Sequence, residues 1–403
     1  MVEVYELLTV VVSLIMVKLF HWIYQWRNPI TNGKLPPGSM GYPIIGETFE
    51  FMKPHDVLQF STFVQERVLR YGPVFRTSLF GCKAIISMDL ELNVEIAKAN
   101  HVPGVTKSIA RLFGKNNLFI QTKQSHKHVR NLTFQLLGPQ CLKLRMVEDV
   151  DLLARTYMEE GARNGCLDVK ETSSKILIEC LAKKVMGEME PEAAKELALC
   201  WRYFPRDWFQ FSWNVPGTGV YRMMKARKRM MKLIKETVLT NETTPGILAA
   251  TIKLISDHPK VMEELNKEHE GIVRGKTEKE AGLTWEDYKS MTFTQMVINE
   301  SLRITSTAPT VLRITDHDFQ VGDYTIPAGW IFMGYPNVHF SPEKYDDPLV
   351  FNPWRWKRED LSSILSKTYI PFGAGSRLCV GAEFAKLQMA IFIHHLFRYR
   401  FIF

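Results

Sequence analysis

The residues best suited to chemistry crowd into one short stretch near the end of the chain. It reads Pro371-Phe372-Gly373-Ala374-Gly375-Ser376-Arg377-Leu378-Cys379-Val380-Gly381. Three glycines so close together demand tight turns and a close backbone approach to something. An apolar pattern of helical spacing follows at once, through Phe384, Leu387, Ile391 and Leu396. Cys379 therefore stands at or just before a helix N-terminus, where free amides and the helix dipole favour a thiolate. The plain alternative is a core cysteine, since free Cys is among the most buried residue types.

Other groups have spacing that could serve such a site. His126 and Arg130 lie four apart on one face of a helix expected over Ser125–Leu137. Taken alone, a solvated basic helix explains them better, because Lys127 and His128 lie between. Glu242-Thr243-Thr244 sets an acid beside two alcohols, a pairing able to pass protons. Its alternative is a helix cap at Thr240 or Asn241. Glu300 and Arg303 are opposite charges at i and i+3, ordinarily a surface pair of a few tenths of a kcal/mol.

The fixed positions of Phe-x-x-Gly-x-Arg-x-Cys-x-Gly are all present, as Phe372, Gly375, Arg377, Cys379 and Gly381. This loop resembles the haem-binding loop of the cytochromes P-450. The resemblance implies that Cys379 is the axial thiolate of a haem (iron protoporphyrin), a ligand that favours O–O cleavage. It also implies that Arg377 pairs with a haem propionate, and that the glycines let backbone amides reach the sulfur. The family commonly has Trp-x-x-x-Arg at a propionate where this chain has His126 and Arg130. Pro309-Thr310-Val311-Leu312-Arg313 resembles the strand start whose arginine, here Arg313, meets the other propionate. Glu300-Ser301-Leu302-Arg303 resembles the family's buried Glu-x-x-Arg pair. Phe351-Asn352-Pro353-Trp354-Arg355-Trp356 resembles the segment whose arginine, here Arg355, completes that pair as a structural triad. Glu242 and Thr243 match half of the oxygen-activating motif; its small-residue half does not match, being Leu239 and Thr240.

Behind these groups stand the elements that must position them. Tyr5–Tyr24 is mostly apolar and about long enough to cross a bilayer. Lys18 can reach the interface, and Trp22, Tyr24 and Trp26 resemble an interfacial belt. Glu3 and Glu6 before the run, with Arg27 and Lys34 after it, place the body in the cytosol. Neither a basic start nor a small-residue cleavage site argues for a signal peptide. The expected organisation is a single-pass anchor over 1–26, a proline-rich linker over 27–38 and a haem-thiolate catalytic domain over 39–403. Val74–Leu79 with Lys83–Ser87, and Phe319–Val321 with Tyr324–Ile326, read as hairpins. Helices are expected over Ile247–Ser256, Val261–Val273 and Met291–Ile304, with Thr284 capping a start and Asp287 three residues on. Tyr221–Leu239 is a basic, Met-rich helix, either a solvated face or a membrane-surface contact.

Composition bounds the rest. The 403 residues suffice for a large core, and the 46% hydrophobic share is ordinary for a globular protein. Six cysteines are scattered with no Cys-x-x-Cys pair, which fits a reducing compartment. Net charge is +8, from 51 basic against 43 acidic residues, dispersed and without a nucleic-acid module. Anionic lipid or an acidic redox partner suits that balance better.

The resemblance implies a mainly α, haem-enclosing fold with a small β lobe. It covers the chain from the anchor to Phe403, with two departures. The basic helix abuts residues 239–240, where the family has a further helix and the first half of its long distal helix. After Phe403 the family continues through a small sheet that helps line the substrate pocket. Pro-Phe-Gly-Ala-Gly at 371–375, with Ile326-Pro327-Ala328-Gly329-Trp330, resembles the plant branch that oxidises sterols, brassinosteroids and triterpenoids. The implied reaction inserts one atom of O2 into a lipophilic substrate, with electrons from NADPH through a reductase in the endoplasmic reticulum membrane. A haem-binding relative without turnover, or a shortened product without a stable pocket, remain the alternatives.

Overall fold

Phe80 and Gly81 both take positive φ, 53° and 78°, and a two-residue turn of that kind joins twisted antiparallel strands without splaying them. It closes β1 (Val74–Leu79) on β2 (Cys82–Ser87), in register from Val74↔Ser87 to Leu79↔Cys82. The structure, a computed structural model, describes residues 2–54, 61–99, 102–103, 123–186, 216, 221–222, 224–225, 243–276, 282–305, 311–335, 339–357 and 369–401. The chain divides into two units, one built from 1–56, 60–104 and 311–335, the other from 57–59, 105–310 and 336–403.

The first unit carries the helices α1 (Val2–Arg27), α2 (Thr62–Tyr71) and α3 (Leu90–Lys98). Its remaining strands are β3 (Val102–Pro103), β4 (Val311–Ile314), β5 (Phe319–Val321), β6 (Tyr324–Ile326) and β7 (Ile331–Gly334). A mixed sheet runs β1-β2-β7-β4-β3, and β5-β6 forms a separate hairpin. The β2–β7 pair is parallel, from Ala84↔Ile331 to Ser87↔Gly334, and both segments are wholly buried. That fits the rule that parallel pairs are covered on both faces. Asp89 caps α3, its carboxylate accepting the Leu92 amide at 2.8 Å.

The segment between α1 and β1 is tied down. Trp26 Nε1 donates to the Met40 carbonyl (3.3 Å), Thr325 donates its amide to Lys34 O (2.8 Å), and Arg76 donates its amide to Pro37 O (2.8 Å). At Gly38, φ is +147°, and a Cβ would fall 2.1 Å from the Arg76 carbonyl oxygen, so only glycine fits this crossing. The spanning anchor expected over 1–26 is not upheld. Its residues do form the helix α1, but among the described residues no helix is long and apolar enough to cross a membrane. Lys18, His21, Gln25 and Arg27 break the apolar character of its second half. The side chains from Val10 to Phe20 are nonetheless exposed.

The second unit is helical. Its elements are α4 (Lys123–Leu137), α5 (Val147–Asn164), α6 (Val169–Met186), α7 (Thr243–Ser256), α8 (Pro259–Arg274), α9 (Trp285–Ser290), α10 (Thr292–Ile304) and α11 (Ala382–Arg398). One core joins Met146, Met158, Leu248, Leu265, Val297, Leu387 and Ile391, all fully buried. Pro245 falls in the first turn of α7, where amides have no helical acceptor in any case. Thr284 and Asp287 form a reciprocal capping box on α9. Met291 cannot cap α10, and Glu268 of α8 does so instead, accepting the amides of Phe293 (2.7 Å) and Thr294 (2.9 Å).

Candidate active site

Between residues 369 and 381 the chain folds back on itself. Gly373 and Gly375 take φ of 77° and 71°, a region that glycine enters without steric cost. The Gly373 amide donates to Ile370 O (3.0 Å), Leu378 to Gly375 O (3.1 Å) and Cys379 to Phe372 O (3.0 Å). The loop closes on Gly381, from which α11 starts. The Cys379 side chain is exposed at the loop's end. Desolvation by the surrounding chain pushes its thiol up; the Gly381 amide, hydrogen-bonded to the sulfur, and the nearby Arg130 charge oppose this. Burial pulls the Arg377 guanidinium down from the ordinary arginine range, so an anionic group set against it would be strongly favoured.

Helix α4 meets this loop directly. Arg130 Nη1 donates to the carbonyl of Leu378, the residue before Cys379, at 2.5 Å. His126, one turn earlier, is buried. Arg313 lies on β4 of the other unit, where it donates to Leu312 O (3.0 Å) and Ala97 O (3.5 Å). Glu242 is outside the described residues, as is the side chain of Thr243, which opens α7. Most of the basic segment 221–239 is outside them too.

The structure brings Glu300, Arg303 and Arg355 together. Glu300 and Arg303 are both fully buried. Glu300 Oε1 accepts from Arg303 Nη2 (2.8 Å), Arg355 Nε (2.9 Å) and the Asn352 amide (2.9 Å). Its Oε2 accepts from Arg303 Nε (2.9 Å) and Trp356 Nε1 (2.8 Å). The remaining guanidinium donors reach carbonyls, Arg303 at His339 and Pro348, Arg355 at Asp346 and Asp347. Both Glu300 oxygens and every guanidinium nitrogen of the two arginines thus have a partner, as a buried ion group requires.

This cluster reaches the cysteine loop through aromatic side chains. The Trp356 ring packs edge-on to Tyr369 at 4.8 Å between centroids, and Tyr369 donates its hydroxyl to Asn299 O of α10 (3.0 Å). His339 Nε2 accepts the Ile370 amide (3.0 Å). Desolvation and the Arg303 charge hold His339 neutral, down to about 3, which leaves it fit to accept. Sequence reasoning missed Trp356, Tyr369, His339 and the Asn352 amide. Only Trp356 carried a signal, as the neighbour of Arg355.

The model of the family described as cytochrome P450 matches residues 240–401. Cytochrome P450 708A2 of Arabidopsis thaliana is 35% identical over 434 residues, covering 96% of this chain and 91% of that protein. This chain belongs to the cytochrome P450 family. Cucurbitadienol 11-hydroxylase of Siraitia grosvenorii is 32% identical, over 93% of this chain and 89% of its own. Plant hydroxylases named for sterol or triterpenoid substrates recur among the relatives, so this P450 is similar to that plant branch. A retinoic acid-bound cyanobacterial P450, CYP120A1, has the same fold, with a TM-score of 0.75 at 22% identity, over 91% of this chain and 92% of that one. The residues present fit the family's haem: an exposed thiol steadied by an amide, beside guanidinium groups suited to carboxylates. The P450 aligned with the Arabidopsis protein spans 434 positions, more than its own 403 residues. That relative therefore carries positions inside the aligned region which this chain lacks.

Proposed function

We propose that this P450 inserts one atom of O2 into a sterol- or triterpenoid-like substrate, using electrons that NADPH delivers through a membrane-bound reductase. The observation that carries the reading is the Cys379 loop, with an exposed thiol, the Gly381 amide on its sulfur and Arg130 alongside. Haem iron, when bound, supplies the oxygen activation and insertion. Cys379 would be its axial ligand, and Phe372, Gly375 and Gly381 shape the loop that holds the sulfur. Arg377, His126, Arg130 and Arg313 would neutralise the propionates. Glu242 and Thr243 would pass protons to the reacting oxygen. Glu300, Arg303 and Arg355 fix the chain that leads into the loop. The exposed apolar side chains from Val10 to Phe20 support attachment of α1 to the endoplasmic reticulum membrane, beside the reductase.

The test is expression of the chain with an NADPH-dependent reductase. Reduced protein with carbon monoxide should give a thiolate-type absorption band. A panel of sterols and triterpenoids should yield a product one oxygen heavier, dependent on NADPH. A protein with neither band nor product would defeat the reading; a band without product on any substrate would favour the relative without turnover.

A further inference from the structure

Behind the cysteine loop stands a charge that the reaction as read above does not use. Lys386 lies on α11, two turns beyond Cys379, and its side chain is only partly exposed. Its Nζ sits over the ring of Phe372, 5.9 Å from the centroid. A cation in that position is held by the ring's negative face. Phe372 is not a remote ring, since its carbonyl accepts the Cys379 amide at 3.0 Å. The ammonium is thus joined to the thiol-bearing residue through one side chain and one hydrogen bond. Burial pulls Lys386 down from the ordinary lysine range, and Glu383, one turn earlier and exposed, opposes that shift. Nearby Glu383 therefore partly offsets the charge at this end of α11.

We propose that Lys386 is a positioning residue for electron uptake, its ammonium over Phe372 raising the reduction potential of the iron that Cys379 binds. Reduction adds one electron to the iron–thiolate centre and changes no covalent bond. A fixed positive charge in a partly water-excluded place stabilises the more negative, reduced state. It also lessens the electron density that the thiolate donates. Glu383 should act in the opposite sense. The inference rests on Cys379 being the axial ligand.

Equilibrium redox titration of the haem-loaded full chain, with dithionite as reductant and mediator dyes, tests it. Lys386→Met should lower the midpoint, so that at the parent's midpoint the reduced-to-oxidised ratio falls by up to about tenfold, ~59 mV for a one-electron couple. Lys386→Arg should restore the parent value, and Glu383→Gln should raise it. If Lys386→Met fails to take up haem, the Arg and Gln variants still decide, and a Glu383→Gln midpoint equal to the parent's overturns the proposal. A Lys386→Met protein with a thiolate-type band and an unmoved midpoint overturns it too. So does a variant that changes only the salt dependence of reduction by the reductase, which would make Lys386 a docking charge. A parent chain without the thiolate band would overturn both this inference and the Cys379 reading beneath it.

Discussion

Cys379 and Glu300 carry opposite burdens, one exposed and waiting for a ligand, the other fully buried and saturated with donors. Cys379→Ser should leave the loop's backbone bonds in place, because they run through amides and carbonyls. The reduced, carbon monoxide-treated variant should lose the thiolate-type band; a band equal to the parent's would exclude Cys379 as ligand. Glu300→Gln keeps the shape but removes the charge facing Arg303 and Arg355. Stripping one partner from a buried ion group costs about 3–5 kcal/mol, which urea unfolding should register as a lower midpoint. Trp356→Phe deletes a single donor to a charged carboxylate, worth about 1.5–3 kcal/mol. Midpoints equal to the parent's in both variants would contradict the bonding described for Glu300. Arg355 was legible in the sequence because its motif is spelled out around it. The Asn352 amide was not, since a backbone amide has no spelling, and Trp356 was marked only by standing beside Arg355.

Helix α11 is tied to its neighbours by histidines as well as apolar side chains. His395 Nε2 meets Asp151 Oδ1 of α5 at 2.8 Å, and His394 Nδ1 meets His269 Nδ1 of α8 at 3.2 Å. His269 Nε2 lies 3.2 Å from Thr294 Oγ1, whose proton goes to Glu268 Oε2. His269 must therefore donate from Nε2 and accept at Nδ1, so His394 donates from its Nδ1. Two neutral rings satisfy that chain, whereas protonating both would set N–H against N–H. Burial pulls His269 down to about 3, with His395 adding to the shift. Burial, then His269, His395, Arg398 and Lys276, pulls His394 down to about 2. Unfolded, each would titrate near 6.5. From there down towards pH 3 the unfolded chain binds more protons, so stability is full above 6.5 and falls as pH falls. Each histidine should contribute about 1.4 kcal/mol per pH unit across that window. His394→Asn keeps a donor for His269 and removes one titrating group, so urea midpoints between pH 7 and pH 5 should shift less than in the parent. Equal slopes would show that this pair does not govern acid stability. Helix ends were legible where side chains do the capping, as at Thr284 with Asp287, or where proline follows an end, as Pro259 follows α7; that α8 starts on Pro259 rather than at Val261 was not. The cap that Glu268 gives α10 was not, since it comes from another helix. Nor was the parallel pairing of β2 with β7, because strands so far apart in sequence leave no local sign of their register. The wider helical turn at Leu142–Met146 also lies inside an unbroken helical pattern and had no marker.

At the scale of the whole molecule, two physical questions can be put to experiment: attachment, and the effect of aligned positions that the Arabidopsis relative has and this chain lacks. Deleting residues 1–26 removes a helix whose exposed side chains from Val10 to Phe20 are nearly all apolar. The protein should then move from the membrane fraction to the supernatant on sedimentation at physiological salt; full retention would place the attachment elsewhere. The second question follows from the aligned positions that the Arabidopsis relative has and this chain lacks. We propose that the gap lies near residues 239–240, where the family has the first half of its long distal helix. Thr243, the alcohol of the acid–alcohol pair, is the first described residue of α7. A site short of that half-helix admits water beside the reacting oxygen, and water there quenches reactive species and releases peroxide. The expected outcome is poor coupling, with NADPH consumed well in excess of product. Inserting the relative's missing segment at 239–240 should raise product per NADPH severalfold and lower peroxide, at unchanged haem content. Equal coupling in the two forms would show that this chain seals its site without those residues.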